Sequence, residues 1–248
     1  MPRFFIDLSD LSETEGKTFV TVRGEDAGHI TRVLRMRPGE ALTVCDPNGR
    51  EYETVIRSCG TEVCCEVTAE RLSQNEPPYE ATVYQALVKG DRFDTVLQKA
   101  TELGAARIVP VITARCTVKL DGKETAHKLE RWRRIVLEAS KQCGRGRIPT
   151  VTDVMTVTEA LDEAAKTDLP LFCYEGGGTE PLPAAFDTVC SPASVSILIG
   201  PEGGWADEEV ALYLKAGLRP IGLGNRILRT ETAAPFVLAC LSCRYELA

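Results

Sequence analysis

Apolar and polar residues alternate in short runs over the first seventy positions, and then the period changes. Residues 4–8, 17–23, 41–45, 51–57 and 62–69 are rich in Val, Thr, Ile and Phe, which predicts five short strands. Asp46-Pro47-Asn48-Gly49 between two of them is turn chemistry, because Asn and Gly tolerate positive φ. One helical pattern interrupts the series over 25–36 and stops before Pro38-Gly39. Strands of this kind are best satisfied by a small closed barrel, which exposes no sheet edge. The polar, proline-containing stretch 73–80 reads as a linker, separating a domain over 1–72 from one over 81–248.

Beyond the linker the pattern becomes strand, helix, strand. A strand over 81–88 is followed by a helix over 92–103, capped by Asp91 and stopped by Gly104, and then by a strand over 107–112. A long amphipathic helix is expected over 127–142, strands over 169–174, 195–199 and 220–223, and helices over 207–216 and 231–247. This alternation predicts an α/β domain with helices on both faces of a mostly parallel sheet. Ligands of such sheets bind beyond the carboxyl ends of strands, so the loops after Tyr174, Ile199 and Leu223 are where chemistry is expected.

The chain has 248 residues, 44% hydrophobic and 26% charged, which excludes wholesale disorder, collagen and coiled coil. No run approaches the roughly 18 apolar residues of a membrane span, and Met1-Pro2-Arg3-Phe4 precedes no signal-peptide core. A cytoplasmic protein without membrane contact is expected. Two histidines, His29 and His127, exclude a histidine-rich metal site, and no metal is expected. The ten cysteines are dispersed and read as reduced thiols serving as small core residues; Cys240 and Cys243 alone have CxxC spacing, with no second pair beside them.

Two segments carry candidate chemistry. Gly200-Pro201-Glu202-Gly203-Gly204-Trp205 follows a predicted strand, and its glycines let backbone groups approach a ligand closely. No Lys-Ser/Thr follows, so it is not a Walker loop. Gly222-x-Gly224-x-x-Ile227 is an incomplete dinucleotide fingerprint, lacking the third glycine and a downstream acid. Just after it, Arg229 and Glu231 lie beside Thr230 and Thr232 at a helix start; capping accounts for Thr and Glu but not for the arginines.

Leu198-Ile199-Gly200-Pro201-Glu202-Gly203-Gly204 and, about twenty residues on, Leu223-Gly224-x-Arg226-Ile227-Leu228-Arg229-Thr230-Glu231-Thr232-Ala233 together resemble the SPOUT superfamily of methyltransferases. Within it the chain is most similar to the RsmE type, bacterial enzymes that methylate N3 of a uridine in 16S ribosomal RNA of the small subunit. Supporting stretches are His29-x-x-x-Val33-Leu34-Arg35, Lys89-Gly90-Asp91-Arg92, Gln98-Lys99-Ala100-Thr101-Glu102-Leu103-Gly104 and Glu138-Ala139-x-x-Gln142-x-x-Arg145. Asn225 stands where the family often has Pro, and Cys143 where Ser is usual.

The resemblance implies a PUA-like RNA-binding barrel followed by an α/β trefoil-knot domain, an exception to the rule that chains avoid threading. It implies S-adenosylmethionine as cofactor and a homodimer whose subunits share each active site. By the same matching, donor contacts fall on Leu198, Ile199, Gly200, Pro201, Glu202 and Gly203. A second group comprises Leu223, Gly224, Ile227, Leu228, Arg229, Thr232 and Ala233, and the loop Tyr174-Glu175-Gly176 closes the third side.

An adenine ring needs apolar walls and a few backbone hydrogen bonds, which Leu223, Ile227, Leu228 and glycine-flanked amides can supply. The acceptor N3 of uracil carries a proton and is a poor nucleophile until it leaves. A cation beside the uracil carbonyls favours the anionic ring, and Arg229 is the candidate. Glu202 or Glu231 accepts the proton or orients the arginine, a choice the residues leave open.

A formal charge of −7 argues against an evenly basic surface, but charge is unevenly spread. From His127 to Arg147 seven basic residues against two glutamates leave a local +5. There Arg131, Arg133, Arg134 and Lys141 lie off the stripe of Leu129, Trp132, Ile135, Val136, Ala139 and Cys143, with Leu137 the one apolar exception, and 144–147 reads as a flexible basic tail; Arg133, Arg134 and Arg145 are candidate phosphate contacts. On the barrel helix His29, Arg32 and Arg35 share a face opposite Ile30, Val33 and Leu34, with Arg3 and Arg23 nearby in sequence, and either grip RNA or support a domain interface. Lys89 joins the candidate RNA contacts, although structure or dimer contact is equally open for it and for Gln98, Lys99 and Glu102.

Two other functions fit parts of the pattern. A SPOUT enzyme acting on a ribose hydroxyl of transfer RNA would share the glycine loop but lack the long 227–234 signature. A non-catalytic RNA-binding or ribosome assembly factor would not need an intact Arg229-Thr230-Glu231-Thr232.

Overall fold

The computed structural model describes residues 1–118 and 122–247, and the chain divides into two compact units. The first comprises Met1–Glu76 with Ser140–Ile148, the second Pro77–Ala139 with Pro149–Ala248. The second unit is thus not continuous in sequence: the segment Ser140–Ile148, expected within 81–248, groups with the first unit.

In the first unit β1 (Arg3–Phe5), β2 (Leu11–Thr14), β3 (Lys17–Val22), β4 (Ala41–Cys45), β5 (Arg50–Cys59) and β6 (Val63–Leu72) form one sheet in the order β1-β4-β5-β6-β3-β2. All pairs are antiparallel except β1 with β4. The terminal strands β1 and β2 are not hydrogen-bonded to each other. Register shifts in β5 near Glu53 and Ile56 are bulges of the kind that curl a sheet. Asp46 builds the β4–β5 hairpin as its turn sequence predicts, its Oδ1 accepting from the Asn48 and Arg50 amides at 2.9 Å. Phe4, Val20, Ile30, Leu42, Ile56 and Val63 fill the core.

The helix expected over 25–36 is shorter and changes winding. α1 (Gly24–Gly28) passes into a π-helical turn, His29–Val33. Wider π winding shifts the phase of the stripe, so Ile30 is buried while Val33 is 65% and Leu34 40% exposed. The expected division of this helix into an arginine face and a buried apolar face therefore fails at two of its three apolar positions. Arg35 lies beyond the helix, at φ +55°.

In the second unit the chain runs β7 (Glu80–Ala86), α2 (Arg92–Glu102), β8 (Ala105–Ile112), α3 (Gly122–Cys143), β9 (Thr150–Val151), β10 (Met155–Thr156) and α4 (Val157–Ala164). It continues through β11 (Leu169–Cys173), β12 (Glu180–Pro181), α5 (Leu182–Phe186), β13 (Ser194–Ile199), α6 (Asp207–Lys215), β14 (Arg219–Gly222) and α7 (Thr230–Tyr245). The strand order is β10-β8-β7-β13-β11-β14-β12, with β9 also on β8, and every pair is parallel.

Both faces of this sheet are covered. Val83, Leu171 and Ile197 point to a core shared with α2, α3, α5 and α7, whereas their neighbours Tyr84, Phe172 and Leu198 point to a core with α4 and α6. Such two-sided burial explains the continuous apolar runs of these strands. Asp91 precedes α2 but its side chain makes no capping bond, contrary to expectation. Gly104 ends α2 at φ +86°, where a Cβ would also lie 2.4 Å from Pro77.

Candidate functional site

Strands β7, β13, β11 and β14 are neighbours, so the loops at their carboxyl ends meet on one edge of the sheet. After Ile199 the chain makes the glycine-rich turn, and three hydrogen bonds fix it. The Thr230 hydroxyl donates to the Gly200 carbonyl at 2.7 Å and accepts from the fully buried Gln85 Nε2 at 2.8 Å, joining the ends of β7 and β13 to the start of α7. Trp205 Nε1 donates to the Cys173 carbonyl at 2.8 Å, tying the turn to the end of β11. From outside, Arg115 donates to the Gly203 carbonyl at 3.0 Å, and Arg92 pairs with Glu202 Oε1 at 2.6 Å.

These loops enclose a cavity of about 530 Å³, within the range of small-molecule sites. Of the expected donor contacts, Tyr174, Glu175, Ile199, Gly200, Pro201 and Glu202 line it, as do Leu223, Gly224, Ile227, Leu228, Arg229 and Ala233. Leu198, Gly176, Gly203 and Thr232 do not. Leu198 is buried in the core beneath, because alternation along β13 turns it away from Ile199. Gly176 lies under the Tyr174 ring, where a Cβ would come within 2.2 Å of it.

The cavity also has walls that the sequence reading missed: Arg92, Cys173, Thr179, Gly204, Trp205, Gly222, Asn225, Arg226 and Thr230. Trp205 and Thr230 stood inside the highlighted segments, and their polar atoms were the available signal. Arg92 opens α2 and stood only in a supporting motif, with no site role given to it. Burial pushes the Cys173 thiol up to about 12.

The three candidate catalytic side chains differ in environment. The Arg229 side chain is 81% exposed at the rim, with NH1 3.9 Å from Glu231 Oε1. Glu231 Oε2 is buried and has no hydrogen-bond partner among the described residues. Glu202 is already paired with Arg92.

The candidate RNA contacts separate into two groups. His29, Arg32, Arg35, Lys89, Arg133 and Arg134 are exposed. Arg23 is exposed but engaged with Asp10 and Glu62. Arg145 is only 4% exposed and pairs with Glu76 at 2.5 Å, while the Gly146 and Arg147 amides bond the same carboxylate. The segment 144–147 is therefore a fastened turn, and Arg145 does not face a substrate. Arg3 is likewise turned inward, bonded to Glu51 at 2.6 Å.

Cys45 and Cys65 are buried, but Cys59, Cys190 and Cys243 are exposed, so the thiols are not all core residues. Among the described residues no group of three metal-ligating side chains is gathered, and no helix is long and apolar enough to cross a membrane.

A two-sided parallel sheet with a cleft at its strand ends, and a small β unit beside it in the chain, defines a two-unit α/β protein with a small-molecule site. The sequence profile of the RNA methyltransferase domain matches residues 75–242, and that of the RNA methyltransferase PUA domain residues 22–60. The chain belongs to this RNA methyltransferase family. It is 35% identical over 252 residues to the ribosomal RNA small subunit methyltransferase E of Bacillus subtilis, covering 100% of this chain and 98% of that one. Its counterpart of the same name from Synechocystis is 34% identical over 230 residues, covering 92% and 74%. The crystal structure of a ribosomal RNA small subunit methyltransferase E from Neisseria gonorrhoeae, bound to S-adenosyl methionine, superposes with a TM-score of 0.83 at 32% identity, covering 98% and 97%.

Proposed function

We propose that this chain transfers a methyl group from S-adenosylmethionine to N3 of a uridine in 16S ribosomal RNA of the small subunit. We propose further that it works in the cytoplasm as a homodimer, with residues 1–72 binding RNA and a trefoil-knotted domain over 81–248 carrying the site. The observation that carries the reading is the cavity walled jointly by the 200–205 turn and the 222–233 segment, with Arg229 and Glu231 on its wall.

The residues present fit the donor. Leu223, Ile227 and Leu228 offer apolar surface for an adenine ring. Gly222 leaves a cradle that a Cβ would fill, since that atom would lie 2.9 Å from Thr179 Oγ1. Glu231 Oε2 offers an unused buried acceptor. When bound, the donor supplies an electrophilic methyl group on a sulfonium.

The chain's own residues then position and polarise the acceptor. Arg229 at the rim stabilises negative charge on the uracil carbonyls and so favours loss of the N3 proton. Glu231 is the acceptor for that proton, because its buried Oε2 has no hydrogen-bond partner among the described residues and its other oxygen lies 3.9 Å from Arg229. The tight turn around Gly200 holds the donor side rigid, and positioning supplies most of the rate.

The test is incubation of unmethylated small subunits with S-adenosylmethionine, followed by mass mapping of the modified nucleoside. A methyl group on uridine N3 is expected; one on a ribose oxygen, or no donor binding in calorimetry, overturns the reading. Arg229→Ala is expected to lower turnover far more than donor affinity, and unchanged turnover would remove Arg229 from the mechanism.

A further inference from the structure

The cavity is lined by three guanidinium groups and by three carboxylates, those of Glu175, Glu202 and Glu231. Arg92, Arg226 and Arg229 all line it, and Arg115 grips the outer side of the glycine turn. Glu202 is the carboxylate fastened to one of these rim cations, its Oε1 2.6 Å from Arg92 NH1. The pair is poorly shielded, the two side chains being 42% and 36% exposed, so it is weakly held.

An enzyme that alkylates a base edge must take the base out of its stack. The ring enters the cavity while the flanking phosphates stay at the rim, where they need cations. A guanidinium presents the same planar fork to a carboxylate and to a phosphate. The Glu202 carboxylate therefore marks a spot at the rim where an anion sits against Arg92.

Resting on the methyltransferase reading above, we propose that Arg92 grips an RNA phosphate beside the uridine to be methylated, and that Glu202 occupies Arg92 until RNA arrives. Three features make the exchange easy. Arg115 anchors the backbone at Gly203, so only the Glu202 side chain has to swing away. The turn before α2 carries a second exposed cation, Lys89, next to Gly90 at φ +68°. The Glu202 bond uses one of the five N–H donors of Arg92, leaving the fork available. Glu202 also sets a threshold: an isolated anion must displace it, whereas a polyanionic backbone held elsewhere on the protein does so readily.

The alternative is that the pair merely latches the glycine turn, and the two ideas predict opposite signs for Glu202→Gln. The test uses the full chain and unmethylated small ribosomal subunits, with affinity measured across a salt series and donor affinity measured by calorimetry on the same variants. Arg92→Ala is expected to weaken subunit binding about tenfold, as loss of a charge-assisted bond does, and to reduce the salt slope by about one. Arg92→Lys, which keeps the charge but not the fork, is expected to restore the slope with only part of the affinity. Glu202→Gln is expected to tighten subunit binding several-fold.

Weaker subunit binding by Glu202→Gln, or variants that change donor affinity alone, overturns the inference. If the wild-type chain neither binds nor methylates small subunits, the methyltransferase reading fails. If it does both while Arg92→Ala matches it, only the phosphate grip fails.

Discussion

Replacing Thr230 by valine keeps the side-chain shape and removes a single hydroxyl. That hydroxyl donates to the Gly200 carbonyl at 2.7 Å and accepts from Gln85 Nε2 at 2.8 Å, and Thr230 is only 8% exposed. Two hydrogen bonds of about 1 kcal/mol each are lost, and a buried amide is left with the Ala86 carbonyl as its remaining partner; stranding such a group adds about 1–3 kcal/mol. The sum is a destabilisation of about 3–5 kcal/mol. Both tryptophans, Trp132 and Trp205, lie in the parallel-sheet unit, so their fluorescence during urea unfolding follows that unit. With a slope of about 2–3 kcal/mol per M, the midpoint is expected to fall by about 1–2.5 M. Thr230→Ser, which keeps the hydroxyl, is expected to stay close to wild type. The same variants report on function, because the glycine turn loses its tie to α7: donor affinity should fall for valine and hold for serine. A Thr230→Val midpoint within about 0.2 M of wild type refutes the reasoning, since the two bonds would then be worth almost nothing.

Three further outcomes are expected. Arg145→Ala takes the guanidinium from the half-buried Glu76, which keeps the Gly146 and Arg147 amides, and should cost about 1–3 kcal/mol in unfolding experiments, while leaving the salt slope of RNA binding unchanged; a slope that falls would return Arg145 to the RNA surface. Charge reversal at the exposed Arg32 and Arg35 should flatten that slope, and salt-independent affinity in the wild type would contradict an electrostatic interface. In iodoacetamide labelling read by mass spectrometry, exposed Cys59, Cys190 and Cys243 should react first. Desolvation raises the thiols of Cys45 and Cys65 to about 11 and of Cys173 to about 12, so less reactive thiolate exists at any working pH, and rapid labelling of Cys173 in the folded chain would contradict its raised thiol.

Elements with strong local signals were legible from the sequence. The strand over 41–45 and the hairpin after it follow from apolar residues and an Asp-Pro-Asn-Gly turn, and α7 from its long apolar period. Strand β2 was not legible, because Leu-Ser-Glu-Thr at a sheet edge has three exposed residues and no alternation to detect. The helix α4 did carry a signal that went unread: Thr156 and Glu159 form a capping box, with the Thr156 amide 2.8 Å from the Glu159 carboxylate. Val33 and Leu34 misled because a helical wheel assumes uniform winding, which the π turn breaks. At the site, residues within the two glycine-bearing segments were found, since backbone chemistry is local. Arg145 was misjudged, and Arg92 was given no role, for the opposite reason: their partners, Glu76 and Glu202, are far away in the chain, and nothing local marks which arginine meets a carboxylate.

The interleaved strand order has a kinetic consequence. β13 lies between β7 and β11, although β7 and β13 are distant in sequence, and the cavity wall is completed by residues as late as Ala233. Contacts of such long range form slowly and do not persist in pieces. A growing polypeptide on the ribosome that has yet to release α7 has neither the Thr230 tie nor the outer wall of the cavity. Donor affinity therefore does not accumulate with chain length; it arrives in one step, once α7 has joined the sheet, and from then on bound donor favours only the finished fold.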